Sequence, residues 1–167
     1  LGINGLNIYN TTFIIPSQLG NYNITFIAND TTGQVNASQV TNFTAVDRIP
    51  PSVTSLVPAV NSIFNVSNII PINATVTDDM SVSRVFVNVS YPNGTLNRYE
   101  LTLFGSNVWN TTFTAPAVIG VYNLTFSAND SSNSLNQTQT SNFTVNDIVK
   151  PSVDTDVPDY KSIFNVS

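Results

Sequence analysis

The sequence predicts an all-β protein built from tandem antiparallel β-sandwich domains of about 100 residues per repeat. Three observations predict it. The chain repeats itself at a step of 100 residues, apolar and polar residues alternate along short segments, and turn-forming clusters punctuate those segments at short intervals. Helical periodicity is absent.

The repeat fixes the domain organisation. Shifted by 100, Asn10-Thr11-Thr12-Phe13 falls on Asn110-Thr111-Thr112-Phe113, and Tyr22-Asn23-Ile24-Thr25-Phe26 falls on Tyr122-Asn123-Leu124-Thr125-Phe126. Ser62-Ile63-Phe64-Asn65-Val66-Ser67 likewise recurs as Ser162-Ile163-Phe164-Asn165-Val166-Ser167, and the 67 comparable positions hold 33 identities without an insertion. A unit of this length is one compact domain, too long for a helical or leucine-rich repeat. Asp47 and Asp147 close units, and the segments Arg48 to Pro51 and Ile148 to Pro151 open the next. Residues 1–47 therefore read as the C-terminal half of one domain, 48–147 as a complete domain and 148–167 as the start of another. The intact protein is expected to be longer.

Within 48–147, Ile70, Ile72, Ala74 and Val76 share one face against Asn73, Thr75 and Thr77. Val85, Val87, Val89 and Tyr91 oppose Arg84, Asn88 and Ser90, and Tyr122, Leu124 and Phe126 oppose Asn123 and Thr125. Strands are expected near 52–57, 63–66, 70–77, 83–91, 96–104, 108–114, 121–128 and 134–145. Turn signals separate them at Asp78-Asp79, Pro92-Asn93-Gly94, Gly105-Ser106-Asn107 and Asn129 to Asn133. That many short strands in one domain favour two packed sheets over a barrel. The polar stretch Gln137 to Ser141 has no apolar residues to face a core, so the pattern leaves its role open.

The segment Gly120 to Asp130, preceded by Pro50-Pro51 and Thr77-Asp78, resembles the immunoglobulin-like or fibronectin type III-like modules of archaeal and bacterial surface proteins. The resemblance implies that Tyr122, and Tyr22 before it, stands near the start of strand F with its hydroxyl bonded back to the chain at the corner. The sequence departs from antibody-type domains because it has no cysteine, so Phe, Tyr, Val and Ile alone must hold the sheets together.

Composition excludes several function classes. Without Cys or His there is no Cys/His zinc site, no histidine-activated nucleophile and no imidazole proton shuttle. Five Lys and Arg against ten acids give a net charge of −5, which argues against nucleic acid as a partner. No apolar run is long enough for a membrane span, and the segment from Leu1 onward does not read as a signal peptide, so an export signal or anchor is expected outside this stretch. Asp78 and Asp79, as adjacent residues, are expected to point apart, and Glu100 is the only Glu, so no acid–base pair is expected and the chain is not expected to be an enzyme. Residues 48–147 contain no Lys, which rules out Lys–Asn crosslinks inside that domain.

Charged residues are 9% of the chain, and their place is taken by 24 Asn, 20 Thr and 18 Ser. Asn-x-Ser/Thr sequons occur at Asn10, Asn23, Asn29, Asn36, Asn42, Asn65, Asn73, Asn88, Asn93, Asn110, Asn123, Asn129, Asn136, Asn142 and Asn165. Chance would give roughly five from the Ser and Thr content. Alternation on a wet strand face built from Asn and Thr produces such spacing by itself. N-glycosylation is compatible with that origin, since both place the Asn outward, and a sugar layer would solubilise a charge-poor surface and block strand-edge pairing. Abundant sequons without cysteine fit an archaeal exterior.

Asp47, Asp78, Asp79 and Asp130 are the carboxylates expected to converge, near one interdomain junction, where hard oxygen ligands would suit Ca²⁺. The simpler reading is that each Asp caps its own turn. No cofactor is required, and Ca²⁺ at the junctions is the one the residues suggest. The function these features imply is an extracellular structural protein at the cell surface, whose N-glycosylated tandem Ig-like domains form a filament, stalk or surface layer. Its partners would be neighbouring repeats, copies of itself and N-linked glycans. The alternative is an adhesin or binding module that recognises a surface glycan or partner protein through loops or strand edges, with Phe86, Phe104 and Trp109 as the aromatics to watch. The 96–104 strand, free of sequons between Asn93 and Asn110, is the stretch where neighbours could touch.

Overall fold

A computed structural model of the chain describes residues 2–3, 8–153 and 163. The described residues form β-strands and turns and contain no helix. In chain order the strands are β1 (Gly2–Ile3), β2 (Tyr9–Asn10), β3 (Gly20–Asn29), β4 (Val35–Ala45), β5 (Ser52–Val57), β6 (Ser62–Asn65), β7 (Ile69–Thr77), β8 (Val82–Ser90), β9 (Leu96–Leu103), β10 (Val108–Thr114), β11 (Gly120–Asp130) and β12 (Leu135–Asn146).

From β5 onward the strands make one hydrogen-bonded ribbon in the order β5-β7-β10-β9-β8-β11-β12-β6, folded on itself into two layers. Strand β9 is the fold line. Its residues Leu96 to Leu101 pair with β8 in one layer, while Thr102 and Leu103 pair with β10 in the other. The chain also changes layer near its start, since β5 pairs with β7 and β6 pairs with β12. That second pair is parallel, unlike the rest, because β6 keeps the direction of β5 after the crossover.

The alternation seen in the sequence becomes the core. Ile70, Ile72, Ala74 and Val76 of β7, Val85, Val87 and Val89 of β8, and Tyr122, Leu124, Phe126 and Ala128 of β11 are all fully buried. An aromatic cluster binds the layers together. The Tyr122 and Phe143 rings stack at 5.1 Å and 3°, and Phe113 meets them at 5.7 and 5.8 Å. Tyr91, Tyr99 and Phe64 extend the cluster.

Tyr122 donates its hydroxyl to Val118 O at 2.7 Å, and Tyr22 donates to Gln18 O at 2.6 Å, as the resemblance implies. Gly120, which opens β11, has φ +130°, and a Cβ there would lie 2.9 Å from the Pro92 ring. Both its backbone and its neighbour therefore demand glycine. The β3–β4 hairpin matches β11–β12 residue for residue, with the same register and the same irregularity between Phe26 and Ala28 as between Phe126 and Ala128.

Of the polar stretch Gln137 to Ser141, its last residue has a role at the layer change. The buried Ser141 hydroxyl donates to Pro58 O at 2.6 Å, and Asn136 Nδ2, just ahead of the stretch, donates to Pro51 O at 2.8 Å. These side chains satisfy the carbonyls that flank β5, Pro51 O just before it and Pro58 O just after it where the chain crosses to the other sheet, a task no apolar residue could do.

Burial raises the Tyr122 and Tyr99 hydroxyls above their usual 10.0, with a hydrogen bond to Tyr91 adding to the effect at Tyr99. Their contribution to stability is therefore complete below the unfolded value and lost as pH rises through the folded one. Asp30 is shifted down, first by the Thr32 hydroxyl and then by the Gln34 amide, so its contribution is lost only as pH falls through that lowered value. We expect secondary structure to persist at about pH 2–3 and to be lost in alkali above about pH 10. Tyr122→Phe should cost about 1 kcal/mol at neutral pH and move the alkaline transition upward; both are read by circular dichroism melts across pH.

Candidate metal centre and outward-facing sequons

The candidate carboxylates come from two short turns. Asp47 follows β4, and its Oδ1 accepts the Ile49 amide at 3.0 Å; Asp147 repeats this with Val149 at 3.2 Å. Asp78 follows β7, and its Oδ1 accepts the amides of Met80 and Ser81 at 3.0 and 2.9 Å. Each turn is thus an Asx turn that consumes one carboxylate oxygen. The other oxygens, Asp47 Oδ2 and Asp78 Oδ2, are buried and have no hydrogen-bond partner.

Asp47, Asp78 and Asp79 bring carboxylate oxygens within 4.8 Å of one another. A cavity of about 430 Å³ lies beside them, walled by Ile15, Leu19 and Val46 on one side and by Asp79 and Met80 on the other. Three anionic groups at this spacing repel one another, and orphaned oxygens raise the cost. A hard divalent cation with oxygen ligands would remove both penalties, with backbone carbonyls and water completing a Ca²⁺ shell.

Asp130 is not part of that group. It ends β11 in a buried position, where Oδ1 accepts the amides of Ser132 and Ser134 at 2.7 and 2.8 Å and so caps the turn into β12. Asp30 makes the same cap with Thr32 and Gln34, each at 2.9 Å.

Fourteen of the fifteen sequon asparagines are described, Asn165 lying outside the described residues, and none of the fourteen is buried. Asn10, Asn23, Asn29, Asn36, Asn42, Asn93 and Asn123 are exposed; Asn65, Asn73, Asn88, Asn110, Asn129, Asn136 and Asn142 are half-buried. Strand register sets three facing pairs, Asn23 with Asn42, Asn73 with Asn110, and Asn123 with Asn142. Asn136 is the one whose amide nitrogen already serves the fold, through Pro51. Asn93 sits at a turn tip, with Oδ1 accepting the Thr95 amide at 3.0 Å.

The three aromatics separate. Trp109 packs on its own core, Phe86 lies beneath the Arg98 guanidinium at 3.7 Å, and Phe104 is 72% exposed at the end of β9.

No protein-family model matches the chain, and no curated protein matches it. Solved structures do. The fibronectin(III)-like modules of Clostridium thermocellum CbhA superpose with a TM-score of 0.50 at 20% identity, over 85% of this chain and 72% of that one. A tetra-tandem repeat from the extending region of a large adhesion protein gives 0.47 at 17% identity, over 77% of this chain and 32% of that one. The CARDB domain of a Pyrococcus furiosus protein, in complex with di-metal ions, gives 0.34 at 20% identity, over 57% and 89%. The fold is that of a fibronectin III-like β-sandwich. Among the described residues no helix is long and apolar enough to cross a membrane.

The cluster makes a prediction of opposite signs. In chelator, Asp79→Asn should raise the melting temperature by relieving repulsion; in millimolar Ca²⁺ it should lower it relative to the parent. A shift of the same sign in both conditions would show that no cation is held there.

Proposed function

We propose that the chain is a segment of an extracellular structural protein, in which fibronectin III-like units repeat in tandem as a sugar-coated spacer of a filament, stalk or surface layer. The observation that carries this reading is that the hairpin register, the aromatic stack and the linker Asx turn all recur at the 100-residue step. A part selected for chemistry would be expected to vary its site between units, whereas a spacer repeats its joints.

In this reading residues 1–47 are the C-terminal half of one unit, 48–147 a complete unit and 148–167 the start of the next. Ca²⁺ held by Asp47, Asp78 and Asp79 stiffens the joint between the first two, while Asp130 serves its turn alone. The module has no catalytic role. Lateral contacts between copies use the sequon-free β9 region, where Leu96, Leu103 and Phe104 are exposed.

N-glycans occupy outward asparagines, among them Asn93 at its exposed turn tip, with one asparagine of each facing pair carrying sugar. Directly opposed strand residues have Cβ atoms about 4.5–5.5 Å apart, too close for two sugar stems without crowding. Asn136 stays bare because its nitrogen is committed to Pro51. Glycopeptide mass spectrometry of protein from its native host tests this directly: hexose-bearing peptides at Asn93 and an unmodified Asn136 are expected. Bare polypeptide throughout would end the glycoprotein reading.

A further inference from the structure

The outer face of the sheet formed by β9, β8, β11 and β12 holds a depression of about 390 Å³ that the spacer reading does not use. Its chemistry is unlike the rest of the domain. Residues 48–147 contain three cationic side chains, and two of them, Arg84 and Arg98, line this one hollow.

Arg98 packs over Phe86, its Cζ 3.7 Å from the ring centroid. The contact holds the guanidinium while leaving its N–H fork free for a planar anion. Arg84 approaches Glu100 at 3.8 Å, with both side chains more than half exposed, so that pairing is weak.

Ser127 supplies a second, independent sign. It is 1% exposed, lines the hollow, and its hydroxyl has no hydrogen-bond partner. It stands opposite Phe86 across β8 and at the irregularity where β11 and β12 lose register between Phe126 and Ala128. Bulges of this kind re-aim a side chain, and an unsatisfied buried hydroxyl is costly until a ligand or water oxygen meets it.

The earlier unit has different residues here. Ser127, Asn133 and Gln137 stand where it carries Ile27, Gly33 and Ala37. Hydroxyl and amide groups replace apolar or missing side chains, so neither core packing nor the repeated joint accounts for them.

We propose that this hollow binds a carboxylated saccharide, a uronic acid unit of a polysaccharide. Arg98 takes the carboxylate, with Arg84 adding charge beside it. Asn133 and Gln137 each offer a donor and an acceptor to ring hydroxyls, and Ser127 meets one more from the floor. A hydroxyl-dense ligand with one carboxylate matches this set better than an acidic peptide, which would leave the amides and Ser127 without polyol partners. Asn129 also lines the hollow and is a sequon, so the site is open where Asn129 is bare. Binding does not rest on glycosylation elsewhere.

The test uses the 167-residue chain produced without glycosylation, titrated with tetragalacturonate and followed by amide NMR shifts. Saturable shifts at Arg98, Ser127 and Gln137 are expected, with a dissociation constant on the order of 1 mM. Arg98→Gln should weaken binding about tenfold or more, and Ser127→Ile, which installs the residue of the earlier unit, should abolish it. Melting temperatures establish that each variant is folded; if Ser127→Ile is not, the exposed Arg98→Gln decides. Maltotetraose, the neutral control, and tetraglutamate, the acidic peptide control, should bind at least about tenfold more weakly. No saturable shift with tetragalacturonate, equal affinity for either control, or unchanged binding by Arg98→Gln would overturn the proposal.

Discussion

The whole structure depends on an aromatic clamp that does the work a disulfide does in antibody domains. Two sheets of short strands with no cysteine must be held in register by packing alone. Tyr122 on β11 and Phe143 on β12 stack nearly parallel, Phe113 reaches across from the opposite layer, and Tyr91 and Tyr99 close the cluster. Such pairs add about 0.5–1.5 kcal/mol each beyond the area they bury. Tyr122 also ties its strand to the preceding loop through Val118, so one side chain fixes both the layer spacing and the corner. The same stack recurs between Tyr22 and Phe43 at 5.1 Å and 6°. A clamp of packed rings needs no oxidising step.

With the core secured by apolar contacts, the outer surface is free of the usual reliance on charge. Asn, Thr and Ser line the wet strand faces, and some of their side chains also close turns. Asn36 and Asn136 each accept a backbone amide and a hydroxyl two residues on, the geometry of an Asx turn. Asp30 and Asp130 do the same at the tips of the hairpins. Most of the described Asp carboxylates are thus spent on turns, while Asp47 Oδ2, Asp78 Oδ2 and Asp130 Oδ2 stay buried without a partner.

Strand positions were legible because apolar and polar residues alternate along β7, β8 and β11, and the Tyr122 corner was implied by the resemblance to immunoglobulin-like modules. Other features had no local signature. The parallel pairing of β6 follows from a crossover whose direction no periodicity encodes. The polar residues ahead of Phe143 looked purposeless because the carbonyls they satisfy, Pro51 O and Pro58 O, lie more than 80 positions away in sequence. At the junction, sequence spacing grouped Asp130 with Asp47, Asp78 and Asp79, whereas β11 carries it inward to cap a turn. The Arg98–Phe86 contact was equally hidden, since it exists only once β8 and β9 have set their register.

The most direct test of the clamp is a double-mutant cycle on Tyr122 and Phe143, with each replaced by Leu singly and together, and stability read from urea unfolding. A coupling energy of about 0.5–1.5 kcal/mol favouring the native pair is the predicted result. Additive losses, with no coupling between the rings, would mean that the sheets are held by general burial and that the repeated aromatic stack is incidental.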